Sequence, residues 1–273
     1  MKIAKLLWLT PLLSFSLDAQ AWGLVTHVYF AHSLLWAMPL LDPRLQSAIR
    51  RFPQLVMAGA CLPDLAIISR RFNHTHYWEN AHQLISQAQN DEQLAIAIGY
   101  ASHLYIDVIA HNHFVPAHEA MWLENSMITH IGAEWAMDAY LAPLLEHSPT
   151  ELLLRHKQVM AQFIAPHFNC TADEAGRVIT KLGHADRLLR VSRLPGMIYH
   201  GMRLMDKRLF RNFAFYIART QTAMEHIGAV LKGDRPQWEP ELNHISQEQM
   251  QRWRKRCLDG LKRKLSSPID YFS

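Results

Sequence analysis

Strand signals are nearly absent from this sequence. Alternating runs of β-branched and polar residues, bounded by glycine or asparagine turns, are typical of strands and hairpins, and such runs are scarce. Helical periodicity, with apolar residues recurring every three or four positions, is common instead. It occurs near residues 24–38, 79–89, 92–113, 127–146, 150–164, 172–183, 197–218, 219–232 and 246–264. The sequence therefore predicts an all-α fold.

Cysteine is also scarce. The chain has three cysteines, Cys61, Cys170 and Cys257, which are too few for a disulfide scaffold. One bridge between Cys170 and Cys257 is compatible with an oxidising compartment, with Cys61 as a buried thiol. Because sequence does not fix connectivity, the bridged and the free states both stay open.

The N-terminus lacks an unbroken apolar run of the roughly 20 residues that a membrane span needs. Two lysines precede a shorter apolar segment, residues 6–17, which Pro11 interrupts. The small-x-small triplet at 19–21 then has the pattern of a cleavage site. We therefore expect a signal peptide at residues 1–21 and an exported protein, periplasmic or secreted, that begins at Trp22. An uncleaved membrane anchor is the alternative.

The remaining chain, residues 22–273, contains no internal repeat, low-complexity tract or obvious linker. Its length fits one large domain or two small ones, and we expect a single multi-helix domain. The formal net charge of +4 favours a mild attraction to anionic surfaces. That charge does not distinguish a transient membrane contact from contact with nucleic acid.

Histidine is the residue that stands out. There are 17, and ten of them lie between residues 22 and 130. These ten are His27, His32, His74, His76, His82, His103, His111, His113, His118 and His130. Asp64, Asp107, Glu134 and Asp138 fall in the same region. Because neutral imidazole is the commonest side-chain metal ligand, a metal site between helices of the N-terminal half is the first hypothesis.

The strongest local pattern places His103, Asp107 and His111 at intervals of four residues. Residues four apart lie one above another on a helix, so the three form one polar stripe on an otherwise apolar segment. Burial of such a stripe is costly unless its groups are paired or coordinated, and zinc accepts both imidazole and carboxylate. A hydrogen-bonded His–Asp–His stack is the alternative.

A second stripe, His130, Glu134 and Asp138, repeats this spacing. One such pattern is ordinary on a solvated helix face. Two on neighbouring helices can face each other and complete the shells of several metals.

A third segment ends in Leu-Pro-Asp64 and is followed by His74 and His76. The glycine and proline before Asp64 indicate a turn, which would present its carboxylate at the mouth of a site. As alternatives, Asp64 would be a helix N-cap and the two histidines would be ordinary loop residues.

Five segments follow one another along the first half of the chain. They are Trp22-Gly-Leu-Val-Thr-His27, Ala58-Gly-Ala-Cys-Leu-Pro-Asp64, His76-Tyr-Trp, Ser102-His-Leu-Tyr-Ile-Asp107 and His130-Ile-Gly-Ala-Glu134. Together and in this order they resemble the superfamily of zinc-dependent phospholipases C and single-strand nucleases. The resemblance covers roughly residues 22–142 and starts at the expected cleavage point.

The resemblance implies three zinc ions. Their ligands would be His76, His103 and Asp107 for the first, Trp22, His27 and again Asp107 for the second, and His111, His130 and Glu134 for the third. Trp22 would bind through its α-amino nitrogen and its own carbonyl oxygen. Asp64 would stand beside the first zinc as a ligand or as the general base.

The third ligand on the central helix is either His111 or His113, since family members place it four or six residues after the bridging aspartate. Four steps of 100° turn 40° net, whereas six turn 240°. A continuous helix therefore favours His111, and Pro116 puts the expected break later. A helix that breaks before Asn112 would favour His113.

The functional prediction is a zinc-dependent phosphodiester hydrolase of the phospholipase C type, acting on a phospholipid. Glu134, rather than aspartate, as the last ligand leans towards the lipase side of the superfamily. A single-strand-type nuclease and a non-catalytic, zinc-stabilised module that binds lipid or cell envelope are the alternatives. The C-terminal half has no assignable motif. Its segments 194–200 and 202–216, the second rich in arginine, methionine and phenylalanine, are expected to be core plus a solvated basic face. A substrate-facing or membrane-facing surface is the alternative.

Overall fold

The computed structural model describes residues 23–122, 127–241, 246–264 and 271–272, without the side chains of residues 127 and 128. The helices, numbered in chain order, are α1 (Leu24–Ala37), α2 (Pro43–Arg51), α3 (Pro53–Gly59), α4 (Leu65–Ile68), α5 (Trp78–Gln87), α6 (Asp91–Ile109), α7 (Val115–Met121), α8 (Met127–Leu141), α9 (Pro149–Arg155), α10 (Lys157–Ile164), α11 (Ala172–Val191), α12 (Leu194–Met205), α13 (Leu209–Met224), α14 (Ile227–Leu231) and α15 (Gln247–Arg263). These ranges contain no strand, which confirms the all-α prediction. The expected signal peptide and Trp22 lie outside them.

Helix boundaries follow local chemistry. Proline stands in the first two positions of α2, α3, α7, α9 and α12, where a missing N–H costs nothing. Asp42, Ser148, Thr171 and Ser246 cap the helices that follow them by accepting backbone N–H groups.

The long central helix α6 forms the core. Every residue from Leu94 to Ile109 is buried, and a π-helix at Ala110–Phe114 joins α6 to α7. The whole stretch Asp91–Met121 is the one part of the described chain that is long and apolar enough to cross a membrane, but its apolar window is completely buried within the protein. It is therefore accounted for as a core helix.

Two glycines bring α3 against α6. A Cβ on Gly99 would lie 2.0 Å from the carbonyl oxygen of Val56, and one on Gly59 would lie 2.3 Å from that of Ile96. Only glycine permits this backbone approach. It places the turn from Ala60 to Asp64 beside the middle of α6.

The C-terminal half covers this core. Helix α15 packs on α7 and α12 packs on α8. Residues 234–241, here called the strap, run from α14 towards α15 and pass over the π-helix, where Pro240 and Glu239 accept hydrogen bonds from His111 and Asn112. All three cysteines are free thiols, and the Sγ of Cys257 lies 3.3 Å from the carbonyl oxygen of Asn112. The Cys170–Cys257 bridge is therefore not formed.

Candidate metal centre

Three groups of histidine and carboxylate side chains meet along the central helix. In each group, one ligand atom per residue lies within 4.8 Å of the others. The groups are His27, His103 and Asp107; Asp64, His76 and His103; and His111, His130 and Glu134. The first two share His103 and so adjoin. The stripe spaced by four residues contributes to all three.

Asp107 lies between the first two groups. Its Oδ1 is 3.3 Å from Nε2 of His27, whereas its Oδ2 is 3.0 Å from Nε2 of His103 and 3.5 Å from Nε2 of His76. The rings of His27 and His103 stack with centroids 3.6 Å apart. Because its two oxygens face different histidines, Asp107 has the geometry of a carboxylate that can bridge two cations.

Asp64 faces the second group. Its Oδ1 lies 3.9 Å from Nε2 of His76 and 3.8 Å from Nε2 of His103. Asp64 does precede α4, but its side chain makes no capping hydrogen bond. The N-cap alternative therefore does not explain where this carboxylate points. Thr75 holds the adjoining loop in place by donating to the carbonyl of Pro63 at 2.6 Å.

The third group joins the end of the central helix to α8. Oε1 of Glu134 lies 3.0 Å from Nε2 of His130 and 3.5 Å from Nε2 of His111. His111 and Glu134 are each 3% exposed. The two predicted stripes thus do face each other at this point.

Burial controls the protonation of three groups. It raises the pKa of Asp64 to about 8. It lowers the pKa of His27 to about 4 and that of His76 to about 3, and the positive charge of His103 lowers both further. His27 and His76 are therefore neutral at pH 7, which is the form that binds metal.

At Asp107, His111 and Glu134, neighbouring charges shift the pKa more than burial does. Burial would raise the pKa of Asp107, but the charges of His103 and His27 hold it well below its usual range. Burial would likewise lower the pKa of His111, but Asp107 and Glu134 raise it to about 9. Glu134 has a lowered pKa for the matching reason, since His130 and His111 outweigh its burial. Asp107 and Glu134 are thus held in the ionised, metal-binding form.

The donor set fits zinc. Several buried atoms of the three groups make no hydrogen bond of good geometry within the described chain. They are Oδ1 of Asp64, both side-chain oxygens of Asp107, Oε1 of Glu134, and Nε2 of His111 and His130. Leaving such atoms without a partner is costly in a protein interior. Imidazole nitrogens combined with carboxylate oxygens are the ligands that zinc accepts.

Comparison with known proteins identifies the family. Residues 26–174, more than half of the chain, match the family model for zinc dependent phospholipase C. The chain belongs to this family. Its members are phosphodiester hydrolases, and the family implies zinc as the metal. Neither the curated proteins nor the solved structures gave a significant match.

Backbone carbonyls orient two histidines of this phospholipase C family member. Nδ1 of His103 donates to the carbonyl of Ala60 at 2.7 Å, and Nδ1 of His111 donates to that of Pro240 at 2.6 Å. A ring whose Nδ1 carries the proton presents Nε2 for coordination. The structure therefore sets the tautomer of both rings, and the strap supplies one of the two acceptors.

The sequence analysis expected a regular central helix as far as Pro116, but the helix changes its form before that residue. It widens into the π-helix, a form often found at functional sites, and Pro116 is the second residue of α7. His111 reaches Glu134, whereas His113 packs against the rings of Trp238, Trp253 and Tyr271. The structure thus brings His111, and not His113, to the third group, and its role as a ligand stays a prediction.

Two residues considered in the sequence analysis, Asp138 and His74, lie outside the three groups. Asp138, the last residue of the second stripe, belongs to none of the three groups. Its carboxylate accepts from Val25 N–H at 3.3 Å, and from the N–H and hydroxyl of Thr26 at 2.9 and 2.7 Å. It is the N-terminal cap of α1, supplied from α8. His74 is an exposed loop residue.

A cavity of about 630 Å³ opens beside the second group, with His76 in its wall. The wall combines aromatic rings, amides and carboxylates. The other lining residues are Asn73, Tyr77, Glu79, Asn112, Arg235, Gln237, Trp238, Glu239, Pro240, Glu241, Gln249 and Trp253. Arg235 is the one lysine or arginine among them, and it pairs with Glu79. The sequence analysis missed this wall because most of it comes from the unassigned C-terminal half.

Proposed function

We propose that this protein is an exported phospholipase C-type enzyme that hydrolyses the head-group phosphodiester of a phospholipid. Three zinc ions would be held by His76, His103 and Asp107, by Trp22, His27 and Asp107, and by His111, His130 and Glu134. Zinc at these positions would supply a nucleophile from water near neutral pH and would stabilise negative charge on the phosphate oxygens. The observation that carries the proposal is the convergence of the three groups along the central helix, with a cavity that opens beside the second of them.

Asp64 is the proposed general base. It is 1% exposed, faces the histidines of the second group at 3.8 and 3.9 Å, and has no capping role. Burial raises the pKa of Asp64 to about 8, and the positive charge of bound zinc would lower it, so that the carboxylate would be ionised. In that form it would accept the proton of the attacking water, a contribution of about 10²–10⁴-fold in rate.

The charge of the cavity wall supports a lipid rather than a nucleic acid. Three carboxylates, Glu79, Glu239 and Glu241, line the cavity together with one arginine, Arg235. The described wall is therefore acidic. An acidic wall repels a polyanionic strand. The aromatic rings of Trp238 and Trp253, together with carboxylates, suit a neutral or cationic head group.

Export would complete the second zinc site, since a free α-amino group at Trp22 arises only when the preceding residues are removed. We expect intact-mass measurement of the zinc-loaded protein from a secreting host to give a chain that begins at Trp22. A fully metallated protein with a different terminus would remove Trp22 from the ligand set.

The test is a substrate panel run with the zinc-loaded protein. We expect release of a phosphorylated head group from phosphatidyl substrates, abolished by chelation and restored by zinc. Asp64→Asn should lower the rate by about 10²–10⁴-fold with bound zinc retained. Asp42→Asn, which alters the N-cap of α2 and belongs to none of the three groups, is the matched control and should keep full activity.

Other outcomes would redirect the assignment. Cleavage of single-stranded nucleic acid without lipid hydrolysis would make the protein a nuclease. Three firmly bound zinc ions without activity on any phosphodiester would indicate a non-catalytic module, because a structural site needs no base.

A further inference from the structure

Helix α12 and its neighbours carry large apolar side chains that face solvent. These are Leu188, Val191, Met197, Leu204, Met205 and Phe210, each between 53% and 84% exposed. We call this set, with the basic residues between them, the apolar–cationic face. Contiguous exposed apolar surface on a protein marks a site of interaction.

The face is one side of an amphipathic helix. Met197, Leu204 and Met205 are seven and eight residues apart, so they lie on the same side of α12. A Cβ added to Gly201, on that side too, would meet nothing within 4 Å. The opposite side packs on α8, where Ile198 lies over Gly132. The outward side of α12 is therefore not covered by any part of the chain that the structure describes.

Basic residues surround these side chains. Residues 187–211 contain seven lysines and arginines and a single acidic residue, Asp206, whose partner is Arg208. This segment has a formal charge of +6, whereas the entire chain has +4. Segment 187–211 is therefore one of the strongly basic segments of the chain, and several large apolar side chains are exposed within it.

A cationic pocket adjoins the face. Arg208 and Arg211 at the start of α13, together with Lys262 and Lys264 at the end of α15, line a cavity of about 270 Å³. Its other lining residues are Met121, Asn212, Leu258 and Leu261, so the wall contains no carboxylate among the residues that the structure describes. Such a pocket fits an anionic group of the size of a lipid head group.

We propose that the apolar–cationic face docks on a bilayer that contains anionic lipids. Exposed Leu, Met and Phe beside Lys and Arg are what an interfacial helix uses to enter the boundary between head groups and acyl chains. Each basic residue near the surface adds attraction to the anionic leaflet. This inference concerns docking alone and does not depend on which ester is cleaved.

Two other occupants fit less well. A two-fold interface with a second copy would oppose the same +6 segment to itself. A nucleic acid would use the cations but would leave the apolar side chains in water, since such interfaces are more polar than those between proteins. A charged bilayer is the partner that matches both features.

The experiment measures binding of the zinc-loaded protein to vesicles that contain no phosphodiester. Galactosyl diacylglycerol would be used alone or with about a third of the anionic sulfoquinovosyl diacylglycerol. We expect at least ~10-fold tighter binding to the anionic vesicles, weakened by about 0.5 M salt.

The variants separate the apolar from the cationic contribution. Leu204→Gln/Met205→Gln and Arg203→Gln/Lys207→Gln should each weaken binding by at least ~10-fold, because each removes one component of interfacial binding. Glutamine keeps good helix propensity. The matched control is Arg252→Gln/Lys255→Gln, on an exposed basic side of α15 without exposed large apolar residues, and it should bind as the unaltered protein does.

Several results would overturn the docking proposal. They are equal binding to neutral and anionic vesicles, unchanged binding by both face variants, or an equal loss in the control. A concentration-dependent dimer that Leu204→Gln/Met205→Gln abolishes would assign the face to a second copy. Hydrolysis of a monomeric, short-chain phosphodiester should be unchanged in the face variants. Failure of docking and failure of the proposed catalytic function are therefore distinguishable.

Discussion

Two regions of the chain place their side chains in opposite ways. In the three groups along the central helix, histidines and carboxylates are buried, and His103, Asp107 and Glu134 are each at most 3% exposed. On the apolar–cationic face, large apolar side chains point outward, with Leu204 84% and Met205 77% exposed. The first arrangement builds a centre that can hold cations, and the second builds a surface that suits a bilayer.

The C-terminal half does reach the centre, but it does so through its backbone. Pro240 accepts from His111, and Glu239 accepts from the side-chain amide of Asn112 at 2.8 Å. Every residue type carries a carbonyl, so these contacts leave no pattern in the sequence. The comparison teaches that the candidate ligands are specified by residue type and spacing, whereas their support is specified by the path of the chain.

The largest effect is expected in the N-terminal half, at Asp107. Asp107→Asn keeps the volume of the side chain but removes the charge that faces His27 and His103. It should remove at least one equivalent of zinc, because affinity is coupled to ionisation of the ligand. Turnover should fall by more than about 100-fold, since outer-shell changes alone cost about 10–100-fold. Elemental analysis and head-group release are the measurements.

The matched control for that change is Asp91→Asn, at the start of the same helix, where the carboxylate pairs with the exposed Arg51. It should keep metal and activity. Full zinc content and turnover in Asp107→Asn would show that the bridging assignment is wrong.

The next effect separates two histidines on the π-helix. His111→Ala should lose the zinc of the third group and most activity, because His111 reaches Glu134. His113→Ala should keep both, although it opens a hole among Trp238 and Trp253, at a cost of about 2–4 kcal/mol in stability. Zinc stoichiometry together with thermal unfolding measures the two effects. Equal tolerance would remove the third site, and the reverse ranking would make His113 its ligand.

Much of this centre could be predicted from residue spacing. Periodicity of 3.6 fixes which residues share a helix side, so spacing in the sequence is enough to predict the stripes around Asp107 and Glu134. The same reasoning misplaced Asp138, because a carboxylate at the right spacing also serves as a cap for another helix. Spacing predicts on which side of its helix a residue lies, but it does not predict which group the side chain contacts there.

The π-helix and the strap could not be predicted. A π-helix shifts the hydrogen-bond register by one residue without a compositional signal. Here the carbonyl of Asn112 accepts hydrogen bonds from Trp253 Nε1 at 2.7 Å and from the thiol of Cys257. Those donors lie more than 140 residues further along the chain, so no local window contains them.

A smaller effect tests this support from the C-terminal half. Asn112→Ala removes the amide that donates to the strap, which in turn holds His111. We expect zinc affinity of the third group to fall by about 10–100-fold, as for other outer-shell changes, with the fold retained. Competition with a zinc chelator measures it. Asn73→Ala, an exposed residue of the same cavity wall, is the control and should leave the affinity unchanged. Equal affinities would mean that the strap does not support the centre.

The smallest effect concerns the cap that places the start of α1. Asp138→Ala removes the acceptor of three hydrogen bonds, two of them from Thr26. A net loss of about 2 kcal/mol in the free energy of unfolding is expected, or about 4–8 °C in melting temperature for a protein of this size.

Gly23→Ala disturbs the same contact from the side of α1, because its Cβ would lie 1.9 Å from Oδ2 of Asp138. Gly201→Ala is the control, since its Cβ meets nothing within 4 Å and alanine is favoured in a helix by roughly 0.5–1 kcal/mol. The double variant Gly23→Ala/Asp138→Ala tests whether the two residues constrain each other. Shortening residue 138 removes the clash, so the double variant should lose less stability than the sum of the two single variants, by about 1 kcal/mol or more. Strictly additive losses would mean that this carboxylate and the start of α1 do not constrain each other.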